Sequence, residues 1–320
     1  LRQGDEDLVV GVGHVGIPLE LSVQGLGQQS DGAEERPPRP LLLLVEPPSV
    51  GHRPMVPTTL RLQPDLISDP ADPRVADFVT LNDPDLRRDG YFVAEGALVI
   101  RHLLRSPYRV RTVLLTAQGL AALGDDLAAV DAPVYLVAQP VMTAITGFHF
   151  HRGALASAER LPPAGLATVA AADHLLLAEG VTDNENLGAL FRNAAAFGVG
   201  GVVLDRGCAD PLYRRTVRVS VGQALRIPFA RVPAMPGAVA ELQALGFEVL
   251  ALTPSPDADD VRDLARRPRQ ALLVGAEGPG LTHGALAAAD RRVRIAMAPG
   301  VDSLNVATAA AVVLHHLAET

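Results

Sequence analysis

Residues 295–307, with the sequence IAMAPGVDSLNVA, decide the fold class that we expect for the second half of this chain. The first residues are typical of a strand end, the Pro-Gly pair is typical of a loop, and an alanine-rich helix is predicted over 304–317. Ser303 or Asn305 can cap this helix, because short polar side chains accept hydrogen bonds from the free N–H groups of a first turn. A strand that passes through a loop into a helix is the repeating unit of an α/β protein.

Two segments upstream repeat this arrangement. Residues 272–280 (LLVGAEGPG) are predicted to form a buried strand that ends in a glycine-rich turn carrying Glu277. Residues 183–188 (DNENLG) follow a strand predicted over 174–178 and lead into a helix that carries Arg192. Open α/β sheets bind ligands at the carboxyl ends of their strands. We therefore expect the three segments to meet at one edge of a sheet.

Each segment alone also has a purely structural interpretation. Residues 183–188 can cap a surface helix whose Arg192 is simply solvated. Residues 272–280 can be an ordinary tight turn, and Ser303 and Asn305 can be helix caps and nothing more. The combination and the order of the three segments favour a functional site.

Strands and short helices alternate in two runs along the chain. The first run, over 66–160, predicts a small α/β/α domain, and the second, over 170–320, predicts an α/β domain with a largely parallel sheet. A connector rich in proline and alanine, 161–167, separates them. The predicted strands are 91–95, 110–116, 134–137, 154–158, 174–178, 201–204, 229–231, 248–253, 270–274 and 293–295. The predicted helices are 75–81, 96–104, 118–123, 140–145, 187–197, 214–219, 238–245 and 304–317.

Residues 1–60 differ from the rest of the chain. They are rich in glycine and proline and show no sustained helical or strand periodicity, which predicts disorder. We hypothesise that the natural start lies near Met55 and that the preceding residues are translated upstream sequence. Residues 11–16 match the spacing of a dinucleotide-binding loop, but Pro18 and the surrounding glycines argue against the helix that such a loop requires.

The composition narrows the class of protein. The chain has 320 residues, which suits two domains better than one compact domain of ordinary size. Its one cysteine, Cys208, excludes an internal disulfide framework and a cysteine-based zinc site, and it fits a reducing cytosol. No apolar run approaches the roughly 20 residues that a membrane helix needs. We therefore expect a cytoplasmic protein that is not bound to a membrane.

The net charge of −8 argues at first against a nucleic-acid partner. The charge is uneven, since residues 1–55 hold eight acids and four arginines and so contribute −4 of it. The 28 basic residues of the Lys and Arg types are all arginines. A mildly acidic protein can still bind RNA through a local arginine cluster, so the net charge leaves the partner open.

The three segments together resemble the SpoU (TrmH-type) branch of the SPOUT RNA methyltransferases. That family has a motif with Asn, Gly, Arg and a small-residue helix ending in Phe-Gly, then a Gly-Ala-Glu-Gly turn, then a Met-containing glycine loop followed by Ser-Leu-Asn-Val. The matching residues here are Asn186, Gly188, Arg192, 194–198, 275–278 and 297–306, and a further Arg-x-Ser-x-Gly feature lies at Arg218, Ser220 and Gly222. The match covers about 170–320. The front domain resembles the RNA-binding domain of many members through 92–96 and 147–153.

This resemblance implies a fold, a cofactor and partners. It implies a C-terminal domain over 170–320 that is tied in a deep trefoil knot and follows a smaller N-terminal α/β/α RNA-binding domain. The implied methyl donor is S-adenosylmethionine, held by backbone groups around Gly275, Ile295, Met297 and Leu304. The implied partners are RNA, either tRNA or rRNA, and a second copy of the chain bound through the C-terminal domain.

The resemblance also implies methyl transfer to a ribose 2′-hydroxyl and assigns roles in it. Arg192 is the family's candidate for activating that hydroxyl. Because an arginine stays protonated in proteins, we expect it to grip the adjacent phosphate and to stabilise developing charge on the oxygen. Asn186, Ser303 and Asn305 would orient Arg192 and the ribose, and Glu277 would fix the turn. No metal is required.

Other signals in the sequence are weaker. His149 and His151 could form a metal pair as alternate residues of a strand, but no third ligand is nearby in sequence, and we favour a role in RNA contact or packing. Cys208 lies in a predicted loop, where we expect no catalytic role. The alternative function is a catalytically silent RNA-binding or assembly protein on the same fold, which the presence of all the proposed catalytic residues disfavours.

Overall fold

The computed structural model describes residues 62–79 and 81–318, which belong to one compact unit, Pro57–Thr320. The predictions made for residues 1–60, namely disorder, a start near Met55 and a weak dinucleotide motif, lie outside the described residues. In the part of the chain that the structure describes, no helix is long and apolar enough to span a membrane.

The described residues form an α/β fold, as the sequence predicts. The strands are β1 (Asp65–Ile67), β2 (Tyr91–Glu95), β3 (Val110–Leu115), β4 (Val134–Val137), β5 (Ala154–Glu159), β6 (His174–Glu179), β7 (Gly201–Asp205), β8 (Phe229–Val232), β9 (Glu248–Leu252), β10 (Asp259–Asp260), β11 (Gln270–Gly275) and β12 (Arg291–Arg294). The helices are α1 (Asp83–Arg88), α2 (Ala97–Leu104), α3 (Ala117–Leu127), α4 (Gln139–Thr146), α5 (Leu166–Val169), α6 (Asn184–Ala196), α7 (Arg214–Val219), α8 (Met235–Ala244), α9 (His283–Ala288) and α10 (Val306–Leu317).

The first half of the chain builds a small mixed sheet with the strand order β1-β4-β3-β5-β2. Strand β5 runs antiparallel to both of its neighbours, whereas the β1–β4 and β3–β4 pairs are parallel. Helices α2 and α3 cover one face with apolar side chains, and α4 packs with Val75 and Phe78 on the other. The front sheet therefore lies between two layers of helical segments.

The second half builds a parallel sheet with the strand order β10-β12-β9-β11-β6-β7-β8. Helices α6, α7 and α10 contribute to the apolar cluster on one face, and α5, α8 and α9 to the cluster on the other. Strand β11 lies between β9 and β6, with Gly275 in register with Glu179. Because all neighbouring strands are parallel, the carboxyl ends of β6, β9 and β11 lie side by side at one edge.

One apolar cluster runs through both halves, joining residues such as Phe92 and Ile100 to Leu176 and Phe191. A buried carboxylate adds a polar link: Asp210 accepts hydrogen bonds of 2.7 and 2.6 Å from one Arg160 nitrogen. The described residues thus pack as one compact unit, and the division into domains at 66–160 and 170–320 remains a prediction.

The elements that periodicity does not predict are short. Strands β1 and β10 and helices α1 and α9 are absent from the expected pattern, and α5 begins inside the expected connector, 161–167. None of them is longer than six residues, so periodicity is a weak signal for each.

One predicted helix has a different type from the one expected. The segment 75–81 contributes to a 3₁₀ helix, Pro73–Phe78, that starts earlier and ends earlier. Its start is fixed by Asp72, whose carboxylate accepts a hydrogen bond of 2.9 Å from the Arg74 N–H, followed by proline at the first position. Proline suits that position because its missing N–H is not needed there.

Candidate active site

A cleft of about 550 Å³ opens at the carboxyl ends of β9 and β11, beside the first turn of α10. The sequence-predicted residues that line it are Gly275, Glu277, Ile295, Met297, Ser303, Leu304 and Asn305. Three further lining residues, Leu252, Thr253 and Pro254, come from the end of β9, a strand that the sequence analysis did not connect with the site. Their position follows from the neighbouring β9–β11 register, which a single sequence does not reveal.

The cleft combines an apolar body with polar groups at its rim. Val274, Ile295, Met297 and Leu304 contribute apolar side chains, while Glu277, Ser303 and Asn305 contribute oxygen and nitrogen atoms. Its volume lies within the range of about 300–1,000 Å³ that small-molecule sites occupy. An apolar pocket with a few fixed polar groups is the usual form of a cofactor site.

The turn after β11 depends on glycine. A Cβ atom added at Gly275 would lie 2.3 Å from the carbonyl carbon of Gly280, so no larger residue fits without a backbone shift. The Gly280 N–H donates to the Ala276 carbonyl oxygen at 3.0 Å and closes the turn. Gly278 and Gly280 adopt φ values of 86° and 71°, a region that disfavours residues with a Cβ. A Cβ at either position would meet nothing within 4 Å, so backbone here faces open space.

A buried carboxylate that the sequence analysis missed fixes this turn to the sheet. Glu179, at the end of β6, is only 7% exposed. Its two carboxylate oxygens accept hydrogen bonds from the Thr282 N–H at 2.8 Å and from the Thr282 hydroxyl at 3.0 Å. Buried charges persist when hydrogen bonds compensate for lost hydration. Glu179 therefore ties the far side of the glycine turn to the neighbouring strand.

Asn305 joins the three predicted segments. Its side-chain oxygen accepts hydrogen bonds from the N–H groups of Ala307 and Thr308 and so caps α10. Its amide nitrogen donates to the Asn186 side-chain oxygen and to a Glu277 carboxylate oxygen, both at 2.8 Å. The Asn305 side chain thus caps the start of α10 and holds Asn186 and Glu277, from the other two segments, at the rim of the cleft.

Asn186 lies in the first turn of α6. The Asp183 side chain caps this helix and accepts hydrogen bonds from the N–H groups of Glu185 and Asn186 at 2.9 and 2.8 Å. The Asn186 side-chain oxygen accepts a hydrogen bond from Asn305. The Asn186 amide nitrogen therefore remains available to donate to another partner. The predicted capping of α6 and the predicted meeting of the three segments are both present.

Arg192 does not line this cleft. It is exposed on α6 and forms no ion pair or side-chain hydrogen bond with another described residue. The next residue, Asn193, faces α10 and donates a hydrogen bond of 2.7 Å to the Ala307 carbonyl oxygen. Successive residues on a helix are rotated by about 100°, so Arg192 projects away from that contact.

The weaker sequence signals have structural explanations or remain open. The Cys208 thiol donates to the Ala178 carbonyl oxygen at 3.1 Å, and burial raises its pKa to about 12, which keeps it protonated and unreactive. A His149 ring nitrogen lies 3.0 Å from one of His151. Among the described residues, no group of three or more His, Cys, Asp or Glu side chains is placed to hold a metal ion.

Comparison with known proteins places this geometry in a family. Residues 173–315 match the model of the SpoU rRNA methylase family. The chain is 48% identical over 258 residues to an uncharacterised tRNA/rRNA methyltransferase of Mycobacterium bovis, covering 78% of this chain and 90% of that protein. It is 30% identical over 226 residues to the 23S rRNA (guanosine(2553)-2′-O)-methyltransferase RlmP of Bacillus subtilis, covering 71% of this chain and 88% of that one.

Solved structures agree with these sequence matches. An AdoMet-bound rRNA methyltransferase from Sinorhizobium meliloti superposes with a TM-score of 0.66 at 25% identity, over 79% of this chain and 97% of that one. The SpoU methyltransferase AviRb from Streptomyces viridochromogenes, in complex with AdoMet, also gives a TM-score of 0.66 at 25% identity, over 77% and 97%. The chain belongs to the SpoU (TrmH-type) family of tRNA/rRNA methyltransferases.

Proposed function

We propose that this protein transfers a methyl group from S-adenosylmethionine to a ribose 2′-hydroxyl of tRNA or rRNA. The observation that carries the proposal is the meeting of Asn186, Glu277 and Asn305 at the rim of a cleft with an apolar body. The name of RlmP, a 2′-O-methyltransferase, supports the position of methylation. The AdoMet-bound relatives support the cofactor.

The cleft residues fit S-adenosylmethionine. Gly275, Ile295, Met297 and Leu304 would hold its adenosine and methionine parts, with apolar side chains against the adenine and backbone groups in reach. Gly278 supports the fit, because its backbone faces open space and can approach a ligand closely. When bound, the cofactor supplies an electrophilic methyl group on a positively charged sulfur.

The protein's own residues then have to orient the ribose and stabilise charge. The Asn186 amide and the Ser303 hydroxyl can bind the ribose beside the cleft, while Asn305 and Glu277 keep Asn186 and the turn in place. Holding two reactants in line supplies much of the rate gain in a transfer reaction. Arg192 is the proposed cation for the adjacent phosphate and for the developing oxygen charge. Because an arginine stays protonated, the proton of the 2′-hydroxyl would leave to solvent water as the methyl group is transferred.

We propose that Arg192 performs this role in a homodimer. Because it lies outside its own cleft, its side chain would act beside the cleft of a second copy. Arg192 and Ala196 are both exposed, one helical turn apart on α6, and the small side chain of Ala196 allows another backbone to approach closely. A dimer through this face would complete each cleft with a guanidinium group.

The finer features of the fold are part of the same proposal. We propose a trefoil knot in 170–320, which is supported by the placement of β11 between β9 and β6 and by the packing of α10 against α6. The front part, 66–160, would bind RNA, and the protein would work with its RNA in the cytoplasm. No metal enters the proposed reaction.

The test is a pair of measurements on the purified full-length chain. Calorimetric titration with S-adenosylmethionine tests the cleft, and transfer of labelled methyl groups to tRNA and rRNA from a deletion strain tests the reaction. Mapping of ribose methylation in that strain then names the nucleotide. Cofactor binding without methyl transfer to either RNA would support the catalytically silent RNA-binding alternative.

A further inference from the structure

Helix α7 connects the rim of the cleft to the front half of the chain. On the cleft side, Arg215 forms an ion pair with Glu185, the neighbour of Asn186 in the first turn of α6. The Thr216 hydroxyl donates to the Asn184 side-chain oxygen at 2.9 Å and fixes the same two helices. These two contacts join α7 to the first turn of α6, which carries Asn186.

At its other side, α7 meets the end of β2. Glu95 is buried, with its side chain 6% exposed, and it pairs with Arg152 at 3.0 Å and with Arg218 at 3.8 Å. Two guanidinium groups thus share one carboxylate. The Arg152 side chain remains 53% exposed, so its outer face is available to a ligand.

An aromatic ring lies beside these arginines. Phe148 is a large apolar residue that is 39% exposed, and the Arg214 guanidinium lies 5.3 Å from its ring centre. Two contacts hold the loop that carries Phe148. The Phe148 carbonyl oxygen accepts a hydrogen bond of 3.0 Å from the Thr146 hydroxyl, and the Phe150 side chain is buried. A fixed, exposed ring stacked with a guanidinium is a suitable platform for a nucleobase.

We call the surface formed by Phe148, Arg152, Arg214, Arg215 and Arg218 the arginine seam. Three of its four arginines form ion pairs, with the two carboxylates Glu95 and Glu185, and the Arg214 backbone N–H donates a hydrogen bond of 2.9 Å to the Asp83 carboxylate. Four guanidinium groups thus face three carboxylates, which leaves the seam with an excess of positive charge in a chain of net charge −8.

A histidine lies at the next contact between the two halves. His102 packs against the backbone of Gly222, where an added Cβ would lie 2.9 Å away. Burial lowers the pKa of His102, and the nearby positive charges of Arg226 and Arg105 lower it further.

We propose that the arginine seam binds an unpaired stretch of the substrate RNA next to the methylated nucleotide. Arg152 and Arg215 contact backbone phosphates, and a base stacks on Phe148. Arginine on phosphate with an aromatic plate for bases is the combination that single-stranded nucleic acids require. The inference rests on the proposed function, since it gives that reaction the path of its RNA.

The experiment compares two double variants of the full chain that carry the same change in charge. The seam variant is Arg152→Gln with Arg215→Gln, and the control is Arg109→Gln with Arg267→Gln, two exposed, ion-paired arginines away from the seam. Fluorescence anisotropy measures the dissociation constant of each for a mixed-sequence single-stranded RNA oligonucleotide over a range of salt concentrations. A third variant, Phe148→Leu, keeps an apolar side chain without the ring.

The seam variant should lower the slope of log K against log salt by about 0.7 for each arginine removed, and the control should leave it unchanged. Phe148→Leu should weaken RNA binding about tenfold with an unchanged slope. Equal loss of affinity in the seam and control variants, or failure of the wild type to bind the RNA, would overturn the inference. Calorimetry separates the two proposals, because loss of the seam should not alter binding of S-adenosylmethionine.

Discussion

The two sides of helix α6 differ in how many hydrogen bonds hold their side chains to the rest of the chain. On the side towards α10, Asn186 and Asn193 form hydrogen bonds that hold the helix to the cleft rim. On the exposed side, Arg192 has no ion pair or side-chain hydrogen bond with a described residue. Six residues advance a helix by about 600°, which places Arg192 roughly 240° around from Asn186.

This difference indicates that the two halves of the proposed reaction are prepared in different ways. The cofactor side of the cleft is complete within one chain, because its turn, its cap and its tether all use residues of the same molecule. The cation proposed for the RNA side is left free of that network. Substitutions on the two sides should therefore separate loss of catalysis from loss of stability.

The largest effect is expected from Arg192→Ala. Removing a group that stabilises transition-state charge costs about 10²–10³-fold in rate. Affinity for S-adenosylmethionine and thermal stability should stay near the wild-type values, because the side chain is exposed and outside the cleft. Single-turnover methyl transfer and calorimetry measure the two quantities. An equal loss of affinity for S-adenosylmethionine would contradict this expectation, because Arg192 would then take part in binding the cofactor.

The same variant can test the proposed dimer. Leu304→Trp should block the cleft, since Leu304 lines it and is 40% exposed. Mixing Arg192→Ala with Leu304→Trp protein creates dimers in which an open cleft faces an intact Arg192. Activity should rise above that of either variant alone if Arg192 acts on the partner's cleft. A mixture as inactive as its components would show that each arginine serves its own cleft.

A smaller but still large effect is expected from Gly275→Ala on the cofactor side. The added methyl group would lie 2.3 Å from the Gly280 carbonyl carbon, and overpacking of this kind costs about 1–3 kcal/mol. Denaturant unfolding measures the loss, and cofactor affinity should fall with it. Gly284→Ala is the control, because its Cβ would be 3.4 Å from a Pro236 side-chain carbon, within a helix that favours alanine. Equal stability of the two variants would contradict the tight turn.

Asn305→Asp should separate the cap from the tether. Aspartate keeps the oxygen that caps α10, but it replaces the donor to Asn186 and Glu277 with a second oxygen. Loss of a hydrogen bond to a charged group should lower the equilibrium constant for the contact between residue 305 and Glu277 by about tenfold. Methyl transfer and cofactor affinity should fall by that order, while the melting temperature changes little. The matched change Asn305→Ala should lower stability as well.

The sequence predicted the cofactor side of the cleft better than the position of Arg192. Strand–loop–helix patterns located Gly275, Glu277, Ser303 and Asn305 at one sheet edge, because parallel strands place their carboxyl ends together. Glu179 was missed since its partner, Thr282, lies 103 residues away and the pairing depends on the order of strands. No local pattern encodes that order.

The direction of Arg192 was not predictable from the motif either. The spacing of six residues puts Asn186 and Arg192 on different sides of one helix, but it does not determine which side meets the cleft. That choice is made by long-range packing, in which Asn193 meets α10 and Gly188 meets α7 so closely that an added Cβ would lie 2.8 Å from Val219. A motif can therefore list residues of one site without fixing which surface each of them faces.

The smallest effect is expected at the residue next to Arg192. Asn193→Ala removes the hydrogen bond to the Ala307 carbonyl oxygen, and a lost bond of this type costs about 1 kcal/mol. Unfolding experiments on Asn193→Ala and Arg192→Ala should thus differ by about that amount, with Arg192→Ala within about 0.5 kcal/mol of the wild type. Arg192→Ala should nevertheless have the lower rate of methyl transfer of the two, because only Arg192 faces outward. Two adjacent residues with reversed effects on stability and rate would show that one helix serves both sides of the site.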